Sequence, residues 1–213
     1  MELFNYFRSS ASFRVRIALA LKGLDYRYTS VHLPRREHLN ESYAAVSASR
    51  LVPTLREDDG HLLTQSLAII EYLEETHPDP ALMPQDARGR ARVRALAYDI
   101  ACEIHPLNNL RVLRYLTADL GLGEDDKNRW YRHWCEQGLA AIEQVLANDA
   151  RVGRYCYGDT PSLADCFLVP QVANAQRMHC DLSAMPTVQR INDACLQLPA
   201  FIAASPAQQP DAE

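Results

Sequence analysis

The sequence predicts two domains of different class: a small α/β domain with a mixed four-stranded sheet, then an all-helical domain. Three observations carry this. Over residues 2–77, short β-branched or aromatic runs alternate with helical patterns in the order β-α-β-α-β-β-α. Pro78, Pro80 and Pro84 then crowd into one short stretch, where neither a helix interior nor a central strand could continue. From Ala87 onward the apolar residues recur at helical spacing. The expected domains are therefore residues 1–80 and 87–213.

The first strand is Glu2–Tyr6. Phe7-Arg8-Ser9-Ser10 follows, and then a helix, in which Phe13, Ile17, Ala20 and Leu21 share one face and Gly23 is the stop. A strand that runs into two serines and then a helix gathers hydroxyls and helix-leading amides at one place. Such a place stabilises an anion, whether phosphate, carboxylate or thiolate. Tyr26–His32 reads as a strand and Asn40–Val46 as a short helix. Leu51–Glu57 reads as a strand carrying Pro53. Proline cannot donate to a ladder, so Val52-Pro53 lies at an edge or in a special turn. Asp58-Asp59-Gly60 is a tight-turn signal before a returning strand, His61–Leu63. Ser66 is placed to cap the helix Leu67–Thr76, whose apolar set includes Leu67, Ile70 and Leu73. This order suggests helices on both faces of the sheet.

The helical half begins with a long periodic stretch, Ala91–Leu116, which Pro106 should kink. Lys127–Leu146, Leu163–Arg177 and Thr187–Leu198 follow. Ser162-x-x-Asp165 is a capping box at the head of an apolar helix and reads as folding machinery. The tail from Ser205 is polar and proline-containing, and is expected to fray.

Of the 213 residues, 47% are hydrophobic and 23% charged, an ordinary globular balance. A net charge of −5 speaks against a nucleic-acid partner. Arg88, Arg90, Arg92 and Arg94 split between two helix faces and read as a solvated helix end. No run approaches the ~18 apolar residues of a membrane span, and the first residues lack the basic and apolar regions of a signal peptide. The expectation is a cytoplasmic protein with no membrane partner. Six scattered cysteines, with no CxxC, read as free thiols in a reducing compartment. Cys102 and His105 lie three apart, but no second pair has matching spacing, so no metal site is expected.

The segment Ser9-Ser10-Ala11-Ser12-Phe13-Arg14-Val15-Arg16-Ile17-Ala18-Leu19 resembles the Ser-Ser-Cys-x-Trp-Arg-Val-Arg-Ile-Ala-Leu signature of zeta-class glutathione transferases. That class includes the maleylacetoacetate and maleylpyruvate isomerases. Ala11 stands where cysteine is common and Phe13 where tryptophan is common. Chemistry here is left to serine and to a glutathione sulfur. Val52-Pro53-Thr54, Gln65-Ser66, His105-Pro106-Leu107-Asn108-Asn109-Leu110, Gly158–Asp165 and Val169-Pro170-Gln171-Val172 with Arg177 extend the resemblance over nearly the whole chain.

The resemblance implies a thioredoxin-like first domain, a homodimer, glutathione as cofactor and a small diacid as substrate. It assigns thiol activation to Ser9, with Ser10 in reserve. It places Val52, before a cis-Pro53, against the cysteinyl part of glutathione, and Gln65 and Ser66 at the γ-glutamyl end. His38 falls near the glycyl end, and His105 and Asn109 approach glutathione. Arg8, Arg111 and Arg177 would hold the substrate carboxylates, since a guanidinium offers two parallel hydrogen bonds. Taken alone, Gln65-Ser66 is a cap, His38 a solvated loop histidine and each arginine a surface residue. The implied reaction is cis-to-trans isomerisation of a maleyl diacid: a thiolate adds to the double bond, the resulting single bond rotates, and the thiolate leaves. The alternatives are a glutathione transferase that conjugates or dehalogenates small α-halo acids, and a non-catalytic module of the same fold. The intact serine, Val-Pro, Gln-Ser and arginine set argues against the module.

Overall fold

The computed structural model describes residues 1–213. They form two compact units, Met1–Leu82 together with Leu196–Glu213, and Met83–Cys195.

In the first unit, strand β1 (Glu2–Asn5) leads into helix α1 (Ser10–Leu21), then strand β2 (Arg27–Ser30) and the short helix α2 (Glu41–Ala44). Strands β3 (Thr54–Arg56) and β4 (Leu62–Thr64) form a hairpin, followed by helix α3 (Ser66–Thr76). The sheet order is β2-β1-β3-β4, with β1 parallel to β2 and antiparallel to β3. This is the expected mixed, thioredoxin-like sheet. Alternation sends neighbouring side chains to opposite faces. Phe4 packs with Val31, Val46, Val52 and Tyr43 of α2. Leu3 and its register partner Leu55 point the other way and are fully buried. Gly23, at φ +64°, follows α1, a backbone conformation in which glycine carries no Cβ penalty.

Two local expectations change here. The strand that was to carry Pro53 opens only at Thr54, opposite Phe4 and Thr64. Pro53 therefore precedes the ladder, through a cis Val52–Pro53 bond, and owes it no N–H. Ser66 is the first residue of α3 and not its cap. Gln65 holds the cap position at φ +70°, ψ 115°, and its side chain makes no cap hydrogen bond.

In the second unit, helix α4 (Ala87–Tyr98) passes into a π-helical segment, Asp99–Ile104. Helix α5 (Leu110–Arg114) passes likewise into a second one, Tyr115–Asp119. The single kinked helix expected over 91–116 is thus broken. Pro106 has no N–H to continue the helix. The chain closes the preceding turn with the wide bond from His105 N–H to the Ile100 carbonyl, at 2.9 Å. Helix α6 (Glu124–Ala147) crosses the first π segment closely: a Cβ on Gly138 would meet Ile104 Cγ1 at 2.3 Å. Helix α7 (Leu163–Arg177) starts at the capping box as expected. Asp165 is fully buried and accepts from Ser162 N–H (2.7 Å), Ser162 Oγ (2.8 Å) and Cys156 N–H (2.9 Å). Helix α8 (Pro186–Cys195) closes the unit.

The last residues depart most from expectation. Residues 196–213 cluster with the first unit and not with the helical one, and the tail is held instead of frayed. Helix α9 (Pro199–Ala204) packs on α1, where Arg16 Nε donates to the Ala204 carbonyl at 2.9 Å. Asp211 accepts from Phe7 N–H (3.3 Å), Ser30 Oγ (2.7 Å) and the Tyr28 hydroxyl. Glu213 meets Arg35 (2.6 Å) and His32 (3.1 Å).

Candidate functional site

The turn from β1 to α1 carries the first group of expected residues. Ser9 is the helix N-cap: its backbone is extended, and its Oγ accepts from Ser12 N–H at 3.2 Å. One lone pair is thus occupied by the helix, while the hydroxyl hydrogen remains available to an anion. Helix-leading amides have no intrahelical acceptor, and the positive end of the dipole lies at the same place. Ser9 is partly exposed, whereas Ser10, inside the first turn, is 6% exposed. Arg8 is exposed beside Ser9, with its guanidinium 5.1 Å from the Phe7 ring centroid.

Arg16 holds this turn from beneath. It is 1% exposed and donates to Asn5 Oδ1 (3.0 Å) and to the carbonyls of Tyr6 (3.4 Å) and Phe7 (2.9 Å). Burial pulls its guanidinium down to about 10, so it stays charged at neutral pH. Arg14, 2% exposed, reaches α3 instead, where Nη1 donates to Ser66 Oγ at 3.3 Å. Sequence reasoning read Arg14 and Arg16 only as motif letters. The available signal was two arginines inside an otherwise apolar helix, since arginine is rarely buried without a specific partner.

Elsewhere in the first unit, Ser66 is buried and Gln65 exposed in its positive-φ conformation. Val52 lies just outside the ladder, with its N–H and C=O outside the β1–β3 and β3–β4 pairings. His38 sits half-buried in a short 3-10 turn, Glu37–Leu39.

In the second unit, Asn109 joins two of the expected residues. Its Oδ1 caps α5 through Arg111 N–H at 3.1 Å, and its Nδ2 lies 3.3 Å from His105 Nε2. The turn between them is pinned to α6 by Asn108 Nδ2 on the Tyr131 carbonyl (3.2 Å) and by Trp130 Nε1 on the Leu107 carbonyl (2.9 Å). The Arg111 side chain is exposed. Arg177 ends α7, exposed, and donates to Asn174 Oδ1 at 3.2 Å. Burial pushes the ionisation of the Tyr131 hydroxyl on α6 well up, and the Arg177 charge opposes that shift. Tyr131 was missed from sequence, because a buried tyrosine on an amphipathic helix reads as core.

A thioredoxin-like sheet with a capping serine at the head of the first helix and a positive-φ residue before α3, followed by a helical unit, is the arrangement of the glutathione-transferase class. The family model for the glutathione S-transferase N-terminal domain matches residues 8–76. A maleylpyruvate isomerase from a Ralstonia species is 50% identical over 211 residues, 99% of each chain. The holo structure of a maleylpyruvate isomerase, a bacterial zeta-class enzyme, superposes with a TM-score of 0.98 at 49% identity, covering 100% of both chains. A maleylacetoacetate isomerase from Methylobacterium extorquens AM1, solved with malonate and glutathione bound, gives 0.97 at 39% identity, again over 100% of both chains. The chain belongs to the zeta class of glutathione S-transferases, the family of the maleylpyruvate and maleylacetoacetate isomerases.

The residues present fit the tripeptide that this family implies. Glutathione carries a thiol, two carboxylates and peptide groups. The first unit offers a hydroxyl donor at a helix N-terminus, a second hydroxyl backed by a buried guanidinium at another, and the backbone of Val52 outside the ladder.

Proposed function

We propose that this chain is a glutathione-dependent cis–trans isomerase acting on a maleyl diacid, maleylacetoacetate or maleylpyruvate, to give the fumaryl isomer. The observation that carries the reading is Ser9, whose Oγ is already engaged as an acceptor by Ser12 N–H at the head of α1. That bond leaves Ser9 a donor toward an anion. The chemistry glutathione supplies when bound is reversible thiolate addition, after which it is released unchanged. Ser9 donates to the sulfur and, with the positive end of α1, favours its anionic form. Val52 holds the cysteinyl backbone. Gln65 and Ser66 hold the γ-glutamyl end, and His38 serves the glycyl end. His105 and Asn109 complete the glutathione contacts. Arg8, Arg111 and Arg177 grip the two carboxylates and offset the negative charge that grows on the substrate as the double bond opens. The protein works as a cytoplasmic homodimer.

The test is turnover of a maleyl diacid with sub-stoichiometric glutathione. The expected result is many turnovers per glutathione, with the thiol recovered in full. Consumption of one glutathione per product, or turnover of α-halo acids alone, would replace this reading with that of a conjugating or dehalogenating transferase.

A further inference from the structure

We propose that Arg14 is a positioning residue for the γ-glutamyl carboxylate of glutathione and acts through Ser66. The proposal rests on the glutathione reading above and names a residue outside the expected contact set. Arg14 leaves α1 on its buried side and ends with Nη1 3.3 Å from Ser66 Oγ, at the first residue of α3. A guanidinium has five donors and no acceptor, so the polarity of this bond is fixed: Ser66 Oγ accepts. The hydroxyl hydrogen of Ser66 is then turned away from Arg14. Ser66 is thereby prepared to donate to an incoming anion.

The backbone points to the same place. Gln65, immediately before Ser66, holds φ +70° and ψ 115°, a conformation that side-chain-bearing residues adopt only where the surroundings impose it. It sets the first amides of α3 beside the Ser66 hydroxyl. Helix α3 runs for 11 residues, long enough for its dipole to favour a negative charge at this end. A carboxylate has two oxygens, one for the hydroxyl and one for an amide. The Arg14 guanidinium is buried and donates to that same hydroxyl, which fixes its orientation. Glycine or alanine at position 66 would keep the amides and lose the link to Arg14. Lysine at position 14 would keep the charge and lose the planar fork.

The experiment compares two ligands by equilibrium binding. One is glutathione; the other is γ-aminobutyryl-cysteinyl-glycine, which lacks only the γ-glutamyl carboxylate and its substitution pattern at that carbon's acid group. Dissociation constants are measured for the wild-type chain, Arg14→Met, Arg14→Lys, Ser66→Ala and the Arg14→Met/Ser66→Ala pair. Arg14→Met should weaken glutathione binding about 10-fold, the scale of one hydrogen-bonded contact to a charged group, and leave the analogue within about two-fold. Arg14→Lys should fall between. The double variant should bind glutathione about as weakly as the weaker single variant, since both act through one hydroxyl. Equal losses for the two ligands, or losses that add, would overturn the proposal and leave Arg14 a packing residue. If Arg14→Met does not fold, Arg14→Lys and Ser66→Ala carry the same ligand comparison. A wild-type chain that binds neither ligand would overturn the glutathione reading itself, an outcome distinct from equal losses in a chain that binds both.

Discussion

Replacing Ser9 separates two jobs that one oxygen performs. As an acceptor, Ser9 Oγ caps α1 through Ser12 N–H at 3.2 Å. As a donor, it is proposed to stabilise the bound thiolate. Ser9→Ala removes both. Loss of the cap should cost about 0.5–2 kcal/mol of stability. Loss of a hydrogen bond to a charged group is worth about 1.5–3 kcal/mol. At 1.36 kcal/mol per unit, that raises the thiol pKa by about one to two units. Turnover at neutral pH should fall about 10- to 100-fold. Ser9→Gly provides the control, because glycine at an N-cap costs only a few tenths of a kcal/mol. Both variants lack the hydroxyl, so both should show the same raised thiol pKa, read from the ultraviolet absorbance of the thiolate during a pH titration. Only the alanine variant should unfold appreciably earlier in urea. The reasoning is refuted if Ser9→Gly keeps the wild-type thiol pKa, since the hydroxyl would then be a cap and nothing more. A raised pKa in Ser10→Ala but not in Ser9→Ala would move the assignment by one residue.

Other outcomes follow from the same geometry. Arg177→Lys should not restore the diacid affinity lost in Arg177→Ala, because a point charge cannot replace a two-pronged contact; a neutral cis-enone that loses as much rate as the diacid would sink the carboxylate role. Arg16→Met takes a donor from four buried acceptors, of which the Tyr6 carbonyl keeps Ser9 N–H, and should cost about 3 kcal/mol or more in urea unfolding; a change below about 1 kcal/mol would count against it as the anchor of the turn. Burial and then the bonded Asp211 carboxylate push the Tyr28 hydroxyl well above the ordinary tyrosine range, so Asp211→Asn should move its ionisation to lower pH in an absorbance titration; an unmoved titration would mean the tail does not hold in solution. Arg151 first, then Arg92, hold the Asp149 carboxyl far below its usual range. With the folded pKa depressed, this stabilisation is complete above the unfolded carboxylate value and fades as pH falls toward the folded one. Asp149→Asn should therefore lower the melting temperature at neutral pH and leave it nearly unchanged in strong acid, and a loss of the same size at both pH values would contradict the linkage.

Elements defined by local chemistry were legible in advance. Helix α7 begins and ends where the capping box and the apolar period placed it, because Ser162 and Asp165 satisfy each other within one turn. The stop at Gly23 was equally local. Features set by distant contacts were not legible. Ser66 looked like a cap because nothing in Gln65-Ser66 reveals that Gln65 adopts φ +70° or that Arg14, 52 residues away, claims the hydroxyl. Pro106 announced an interruption but not its form, a π segment over Asp99–Ile104 whose Ile104 lies against Gly138 of α6. The serine, Val-Pro and Gln-Ser positions were readable as a set, whereas their supports, Arg14, Arg16 and Tyr131, looked like motif letters or core.

The tail has a consequence for how the molecule is made. The unit that carries Ser9 is discontinuous: its last piece, Leu196–Glu213, follows the whole of Met83–Cys195 in the sequence. During synthesis the β1–α1 turn must wait for that stretch to leave the ribosome, on the order of ten seconds at ordinary rates of chain elongation. Until then Arg16 has no Ala204 carbonyl and Phe7 no Asp211 carboxylate. A fragment cut at the proline-rich break would keep every expected glutathione contact of the first domain and still lack the clasp beneath its serine.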